Sequence, residues 1–409
     1  MVISPLGRGK RGLVLGLVAG VLLMGSLSGT AAAQSIRVLL SAEVLRLDVR
    51  AEGPIWMTDS KDRGQAIKSA AQITVNGSGF LLNGVRLASE QLTLRAGEQG
   101  LTLIYRKQTG NGYGMSGSGS DPGTTVPVSG LVHLVRKGNG FLLINQVDLE
   151  EYVKGVVPAE VNSTWHPEML KSQAVAARTY ALYQQMLSAT RDYDVVATVQ
   201  DQVYRGKHGI DVGVQQAVEA TRGLVITYQN APIYAAFSST AAGLTEDAMN
   251  VWSKDLPYLK GVECPFDLES PFYQWKASFK IDTLEQNLRQ QGFPVGTIAT
   301  LTPVTFSRAG RVATLRILHS GGELVLRGED LRKAIGYSLV PSTQFTVDSI
   351  GQDIVLSGYG AGHAVGMCQW GAKQLAELGY SYTTILNYYY PGTELRNMAL
   401  TKPPTLPSS

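Results

Sequence analysis

The stretch that most constrains this chain runs from Glu151 to Tyr180. It reads Glu-Tyr-Val-Lys-Gly-Val-Val-Pro-Ala-Glu, then Val-Asn-Ser-Thr-Trp-His-Pro-Glu-Met-Leu-Lys-Ser-Gln-Ala-Val-Ala-Ala-Arg-Thr-Tyr. One carboxylate, Glu160, has apolar neighbours: Val156, Val157 and Val161, with Trp165 close behind. A helix then starts with strong punctuation. Pro167 suits the first helical position, where its missing N–H is no loss. Glu168 stands where the positive end of the helix dipole favours an anion, which accounts for it without any catalytic role. Leu170, Ala174, Ala177 and Ala181 recur at helical spacing as one buried stripe. Lys171 and Arg178 share a different line, about a quarter turn away. That line would edge the helix and line a groove, although Arg178 also suits a buried pair that braces the helix.

A second block lies near the C-terminus: Gly-Ala-Gly-His-Ala-Val-Gly-Met-Cys-Gln-Trp-Gly-Ala, from Gly360 to Ala372. Its glycines invite a dinucleotide reading. That reading fails, because no βαβ unit with a suitably placed acid surrounds them. With these two blocks the chain resembles the SpoIID/LytB family of bacterial cell-wall proteins. The family pattern pairs Tyr-x-x-Gly-Val-Val-x-x-Glu with a Leu-Lys-x-Gln-Ala-Val-Ala-Ala-Arg-Thr-Tyr helix, and later shows Gly-His-Gly-Val-Gly-Met-Ser-Gln. This chain departs at Val161, often Met in the family, and at Ala364 and Cys368, while His363 and Gln369 keep the pattern. Between the blocks, Ser238-Ser239-Thr240-Ala241-Ala242-Gly243 stands where the family has a Ser-Thr-x-Gly-Gly turn beside its cleft. Ser239 and Thr240 keep that character. The resemblance runs from about residue 130 to residue 395.

It implies an α+β fold, a SpoIID-like mixed domain behind an N-terminal β-rich region. Residues 35–130 carry short strand-like runs such as Ile36-Arg37-Val38-Leu39-Leu40 and Leu101-Thr102-Leu103-Ile104-Tyr105, parted by turn signals such as Asn83-Gly84. Thr109–Gly130, rich in Gly and Ser, reads as an exposed loop. The family-like domain is expected over 131–395, with an insertion at about 276–345 and a tail over 396–409. Within it, Val212–Thr221 reads as a helix and Leu224–Tyr228 with Ile233–Phe237 as a strand pair. Asp282–Gln291 and Glu329–Ile335 read as further helices, the latter closed by Gly336. Met367–Leu378 and Tyr382–Tyr389 follow, the last capped by Ser381. Tyr388, Tyr389 and Tyr390 read as packing residues.

Of 36 Lys and Arg against 33 Asp and Glu, three basic residues (Arg8, Lys10, Arg11) precede an apolar run from Leu13 to Met24. Ala31-Ala32-Ala33 then supplies small residues before Gln34. Residues 1–33 therefore read as a secretory signal peptide. The competing reading is an uncleaved anchor, the only route to membrane association. The chain is expected to be exported to the periplasm or cell envelope. Once the three basic residues are gone, the charges balance, so bulk charge gives no sign of a nucleic-acid partner.

Cleaving a glycosidic bond requires an acid to protonate the leaving oxygen, and most glycosidases add a second carboxylate. A lytic transglycosylase can work with one Glu that first donates a proton and then accepts one. Such a group wants a pKa raised toward neutrality, which apolar surroundings supply. From residues alone the favoured reading of Glu160 is a satisfied structural carboxylate. The resemblance places the family's catalytic Glu on Glu160 and implies a peptidoglycan lytic transglycosylase acting on glycan strands stripped of stem peptides. The alternative it allows is a non-catalytic protein that binds glycan and enhances an N-acetylmuramoyl-L-alanine amidase. Lys171, Arg178, Ser239, Thr240, His363 and Gln369 are the candidate substrate-binding residues. Some relatives carry a zinc site of His and Cys, yet Phe237–Glu263 holds neither residue here, so neither metal nor cofactor is expected. Cys264 and Cys368, the only two thiols, are expected to approach one another, as export favours paired cysteines.

Overall fold

The computed structural model describes residues 34–77, 79–106 and 123–398. The expected signal segment, most of the Gly/Ser-rich stretch and the tail from residue 399 lie outside them. Among the described residues no helix is long and apolar enough to cross a membrane. The fold is α+β.

Two antiparallel sheets build the N-terminal half. The seven-stranded one runs in the order Val195–Val196, Ser35–Val44, Gly140–Asp148, Leu131–Lys137, Gln91–Arg95, Ile55–Asp59, Gly64–Ile67, its first pair being parallel. The six-stranded one includes Thr124–Val128, Leu101–Tyr105, Arg46–Arg50 and Ala70–Asn76. Alternation makes them face each other. Val132, Leu134, Leu92 and Leu94 turn inward from the first sheet, and Leu47, Val49, Ile73 and Leu103 from the second. Phe80 and Phe141 meet edge to face across them, 5.7 Å between centroids. Phe141-Leu142-Leu143-Ile144 is apolar without alternation because it is covered on both sides. Leu142 and Ile144 form a small second cluster with Leu39.

Two expectations change here. The strands from Leu131 to Asp148 share a sheet with those before residue 130, so no boundary between separate cores falls there. Thr124–Val128, expected within a loop, pairs with Leu101–Tyr105. Its Val126 and Val128 complete the buried face.

The strand Gly140–Asp148 leads straight into α1 (Leu149–Glu160), whose first N–H groups are capped by Asp148 Oδ1 at 2.9 and 3.2 Å. Next comes α2 (Pro167–Leu187), with Pro167 at its first position and His166 Nδ1 accepting the Glu168 N–H. α2 is buried around most of its girth from Met169 to Leu182, not along one stripe alone. It lies against α1, α3 (Val212–Ala220), α7 (Gln369–Glu377) and α8 (Tyr382–Tyr389). The short α4 (Ala248–Trp252) lies between α3 and the insertion. The expected strand pair after α3 is cut short. Leu224–Tyr228 pairs with only Ala231–Pro232, because the chain then turns away so that Phe237–Ser238 can pair with Met367–Cys368. Those last two residues, expected as the start of a helix, are therefore strand. Tyr389 and Tyr390 are buried, Tyr390 donating to the Ala236 carbonyl at 2.7 Å.

The insertion is a compact unit with its own core. Gln274–Lys280, Asp353–Tyr359 and Gln344–Ile350 form one sheet, and Ile298–Phe306, Val312–His319 and Gly322–Arg327 a second. α5 (Ile281–Gln290) and α6 (Gly328–Ile335) complete it. Leu284, Leu288, Leu315, Ile317, Leu331 and Leu356 lie at its centre. It spans a little more than the expected 276–345.

Candidate active site

Glu160 is the last residue of α1. Tyr152, Val153, Val156 and Val157 bury the rest of that helix and fix where its end lies. Gly155 lets the chain pass unusually close: a Cβ there would meet the Gly206 carbonyl oxygen at 2.4 Å and the Tyr204 ring at 2.6 Å. That contact brings the preceding backbone to the carboxyl group, and the Val203 N–H donates to Glu160 Oε1 at 2.6 Å. Gln369, at the start of α7, supplies a second hydrogen bond, and the Arg205 guanidinium stands nearby.

Glu160 is half-buried. Desolvation is the largest influence and lifts its pKa to about 7, against the opposing pull of Val203, Gln369 and Arg205. Its place at the negative end of α1 acts in the same direction as burial. The group can thus exist in either protonation state near neutral pH.

Buried amides surround this carboxyl. Gln369 Nε2 also donates to Gln173 Oε1 at 3.3 Å, and Tyr152 donates to Gln202 Oε1 at 3.0 Å. The Nε2 atoms of Gln173 and Gln202 are buried and have no hydrogen-bond partner among the described residues. Trp165 packs edge-on against Trp370, 5.0 Å between centroids, and Lys373 lies over the Trp370 ring.

The expected binding residues divide. Gln369 meets Glu160. Lys171 pairs with Glu168 at 2.7 Å, while Glu168 accepts the Tyr382 N–H, so this pair fastens α2 to α8. Arg178 lines no groove. It is fully buried and held by Glu150 through two bonds of 2.9 and 2.6 Å, and also donates to the Leu224 carbonyl. Helical spacing put it at an edge, but α3 and the strand Leu224–Tyr228 close over that face. Thr240 is buried and bonds Ser239 and Ser270, and the Ser239 carbonyl accepts the Trp370 N–H. Both brace the second motif from behind. His363 Nδ1 accepts the Val365 N–H at 3.0 Å, and its ring meets Trp252 edge-on. Burial, then the charges of Arg332 and Arg311, hold its pKa down at about 3, so it stays neutral. It shapes the glycine-rich loop and does not bond to Glu160. Gln173, Gln202, Val203 and Arg205 were missed from sequence. Gln173 was legible within the α2 motif, whereas 202–205 carries no periodicity.

A groove of about 550 Å³ lies on the insertion, between Ile298–Phe306 and Gln344–Ile350. Asp348 is its only ionisable lining residue, so it offers little acid–base chemistry.

The comparisons with known proteins fit this division. The SpoIID family, described as stage II sporulation protein, matches residues 137–228, which hold α1, α2 and Glu160. A domain of unknown function (DUF8618) matches 248–366, the insertion and its flanks. Stage II sporulation protein D of Bacillus amyloliquefaciens is 35% identical over 267 residues, 62% of this chain and 75% of the relative. The amidase enhancer of Bacillus subtilis is 32% identical over 59% of this chain and 40% of its own length. A protein of Brachyspira hyodysenteriae is 29% identical over 91% of this chain and 95% of its own. On these matches, and on the two motifs now joined through Glu160 and Gln369, the chain belongs to the SpoIID/LytB family.

Proposed function

We propose that this protein is an exported peptidoglycan lytic transglycosylase, acting at the bacterial cell wall on glycan strands already stripped of stem peptides. The observation that carries this reading is the Glu160 carboxyl, with its pKa lifted to about 7 and with a backbone N–H and an amide, not a second carboxylate, bonded to it. Protonated Glu160 donates its proton to the glycosidic oxygen as the C1–O bond breaks. The resulting carboxylate takes the proton of the same muramic acid's C6 hydroxyl as O6 bonds to C1. A 1,6-anhydro ring closes, Glu160 regains its proton, and no water is consumed. Arg205 and the Val203 N–H stabilise the carboxylate between the two transfers.

The test is incubation of the purified protein with glycan strands freed of peptide, followed by mass spectrometry. Products ending in 1,6-anhydro-N-acetylmuramic acid are expected; reducing ends, heavier by one water, would refute the mechanism. A second reading rests on the relative named amidase enhancer. Binding of glycan without cleavage, together with stimulation of an N-acetylmuramoyl-L-alanine amidase, would establish that reading instead. Export rests on residues 1–33. N-terminal sequencing of envelope protein should begin at Gln34, and an intact Met1 would favour an anchor.

A further inference from the structure

Cys264 and Cys368 do come together, and a third residue joins them. Cys264 ends the short strand Glu263–Cys264, Asp267 lies in the loop beyond it, and Cys368 caps α7. One ligand atom from each lies within 4.8 Å of the other two. All three side chains are essentially out of contact with solvent. Asp267 Oδ2 accepts the Ala241 and Ala242 N–H groups, both at 2.8 Å, and the Cys368 thiol at 3.2 Å. Its other oxygen, Oδ1, is buried with no partner. An orphaned carboxylate oxygen in the interior is costly.

Both sulfur atoms lie among polar groups. Cys368 Sγ receives N–H groups from Ala241 at 3.3 Å and Gly371 at 3.4 Å, at the N-terminus of the nine-residue α7. Cys264 Sγ lies 3.2 Å from the Tyr389 hydroxyl. The buried Arg311 feels the charge of Glu246 first and then that of Cys368 and Asp267; its Nη2 donates to the Ala241 carbonyl, and Nε and Nη1 have no partner among the described residues. No hydrogen bond joins it to the cluster.

We propose that Cys264, Asp267 and Cys368 form a zinc site. Two sulfurs and one carboxylate oxygen are ligands that Zn²⁺ takes in tetrahedral geometry, and a water or the Tyr389 hydroxyl fills the fourth position. As the metal enters, each thiol releases its proton to solvent. Two thiolates, one carboxylate and Zn²⁺ leave a single negative charge, within the field of the buried Arg311 that Glu246 also shares. The metal takes the place of the thiol proton that Cys368 shares with Asp267 Oδ2. A Cys264–Cys368 disulfide would remove the Cys368 proton that Asp267 Oδ2 accepts and leave that carboxylate without a counter-charge from the sulfurs. The site is buried, so its role is to fasten. Cys368 immediately precedes Gln369, and holding it fixes the first turn of α7 against Glu160. This goes beyond the sequence expectation of no metal, which did not include Asp267.

The test uses the whole mature chain purified without chelator, and does not depend on glycan cleavage. Elemental analysis should find about one zinc per chain, with removal by chelator lowering the melting temperature and added Zn²⁺ restoring it. Exchange with Co²⁺ should give the near-ultraviolet absorption of thiolate-to-cobalt charge transfer. Asp267→Asn, which keeps both thiols and the shape, should retain less zinc than wild type. Should that variant fail to fold, the cobalt spectrum of the wild-type chain decides alone. A chain that takes up neither Zn²⁺ nor Co²⁺ overturns the proposal, whether its thiols prove free or, on titration before and after reduction, joined in a disulfide.

Discussion

At the scale of single residues, Glu160 links stability to pH and, under the proposed mechanism, rate as well. Its pKa is raised from 4.5 to about 7, mainly by burial, so the folded chain keeps a proton that the unfolded chain has released. The stability this gives is full below the unfolded value and is lost as pH rises through about 7. Glu160→Gln is neutral throughout and escapes that loss. Calorimetry at about pH 8 should find the variant more stable than wild type, by roughly 3 kcal/mol at most, with the difference vanishing near about pH 4. Cleavage of peptide-free glycan should meanwhile fall by at least about 10²–10⁴-fold, since an amide can neither give nor take the proton. Equal melting curves at both pH values would contradict the buried-acid assignment. In the wild type the rate should decline above about pH 7, as the acid form disappears. Arg205 pulls in the other direction and is exposed, so Arg205→Ala should fold normally. The pH–rate profile of that variant should show its alkaline limb moved to higher pH, and Arg205→Lys should bring it back.

Secondary-structure elements set how accurately those groups meet. α1 ends at Glu160, and the segment at 203–206 approaches it only because residue 155 has no Cβ. Gly155→Ala drives a methyl into the Gly206 carbonyl and the Tyr204 ring, both of which are backbone or packed aromatic and have little room to yield. Urea denaturation should show a loss of about 1–3 kcal/mol, the usual cost of overpacking. Cleavage should drop further than stability suggests, because the Val203 hydrogen bond to Glu160 is displaced. Unchanged activity would mean that the segment can shift without disturbing the carboxyl. The Arg178–Glu150 pair works at the same scale. It fixes α2 to the start of α1 and to the strand Leu224–Tyr228, which is why a charge at the centre of an apolar helix motif is buried and not displayed.

Across the whole molecule, the insertion is the part with most independence. Its first and last strands pair with each other, Gln274 opposite Tyr359, so the segment leaves and re-enters the main body at one place. Neighbouring ends and a separate core are the marks of an inserted unit that folds by itself. A fragment covering 274–359 should therefore unfold cooperatively on heating, as followed by circular dichroism. A disordered fragment would show that the main body is needed to complete it. The connection to that body is polar: Arg311 donates to the Ala241 carbonyl, and Ser307 to Glu246.

Much of this was legible from local pattern. Pro167 and Ser381 marked helix starts where the structure has them, and Gly336 closed α6 as its spacing suggested. The two motifs singled out Glu160 and Gln369 before either had a position in space. Short-range order is written in periodicity and caps because those depend on residues only a few places apart. The rest depended on what packs against each element. Spacing alone gave Arg178 an edge, and α3 made it interior. The unpatterned stretch at 202–205 became part of the site because Gly155 admits it. His363, placed by sequence among the binding groups, accepts the Val365 N–H of its own glycine-rich loop. Asp267 gained its meaning only beside two thiols from other segments. The sequence by itself determined the family, most of the helices and the choice of Glu160 as the candidate acid. Tertiary structure alone decided that acid's pKa and its partners, because desolvation and contact are properties of the packed interior, not of neighbours along the chain.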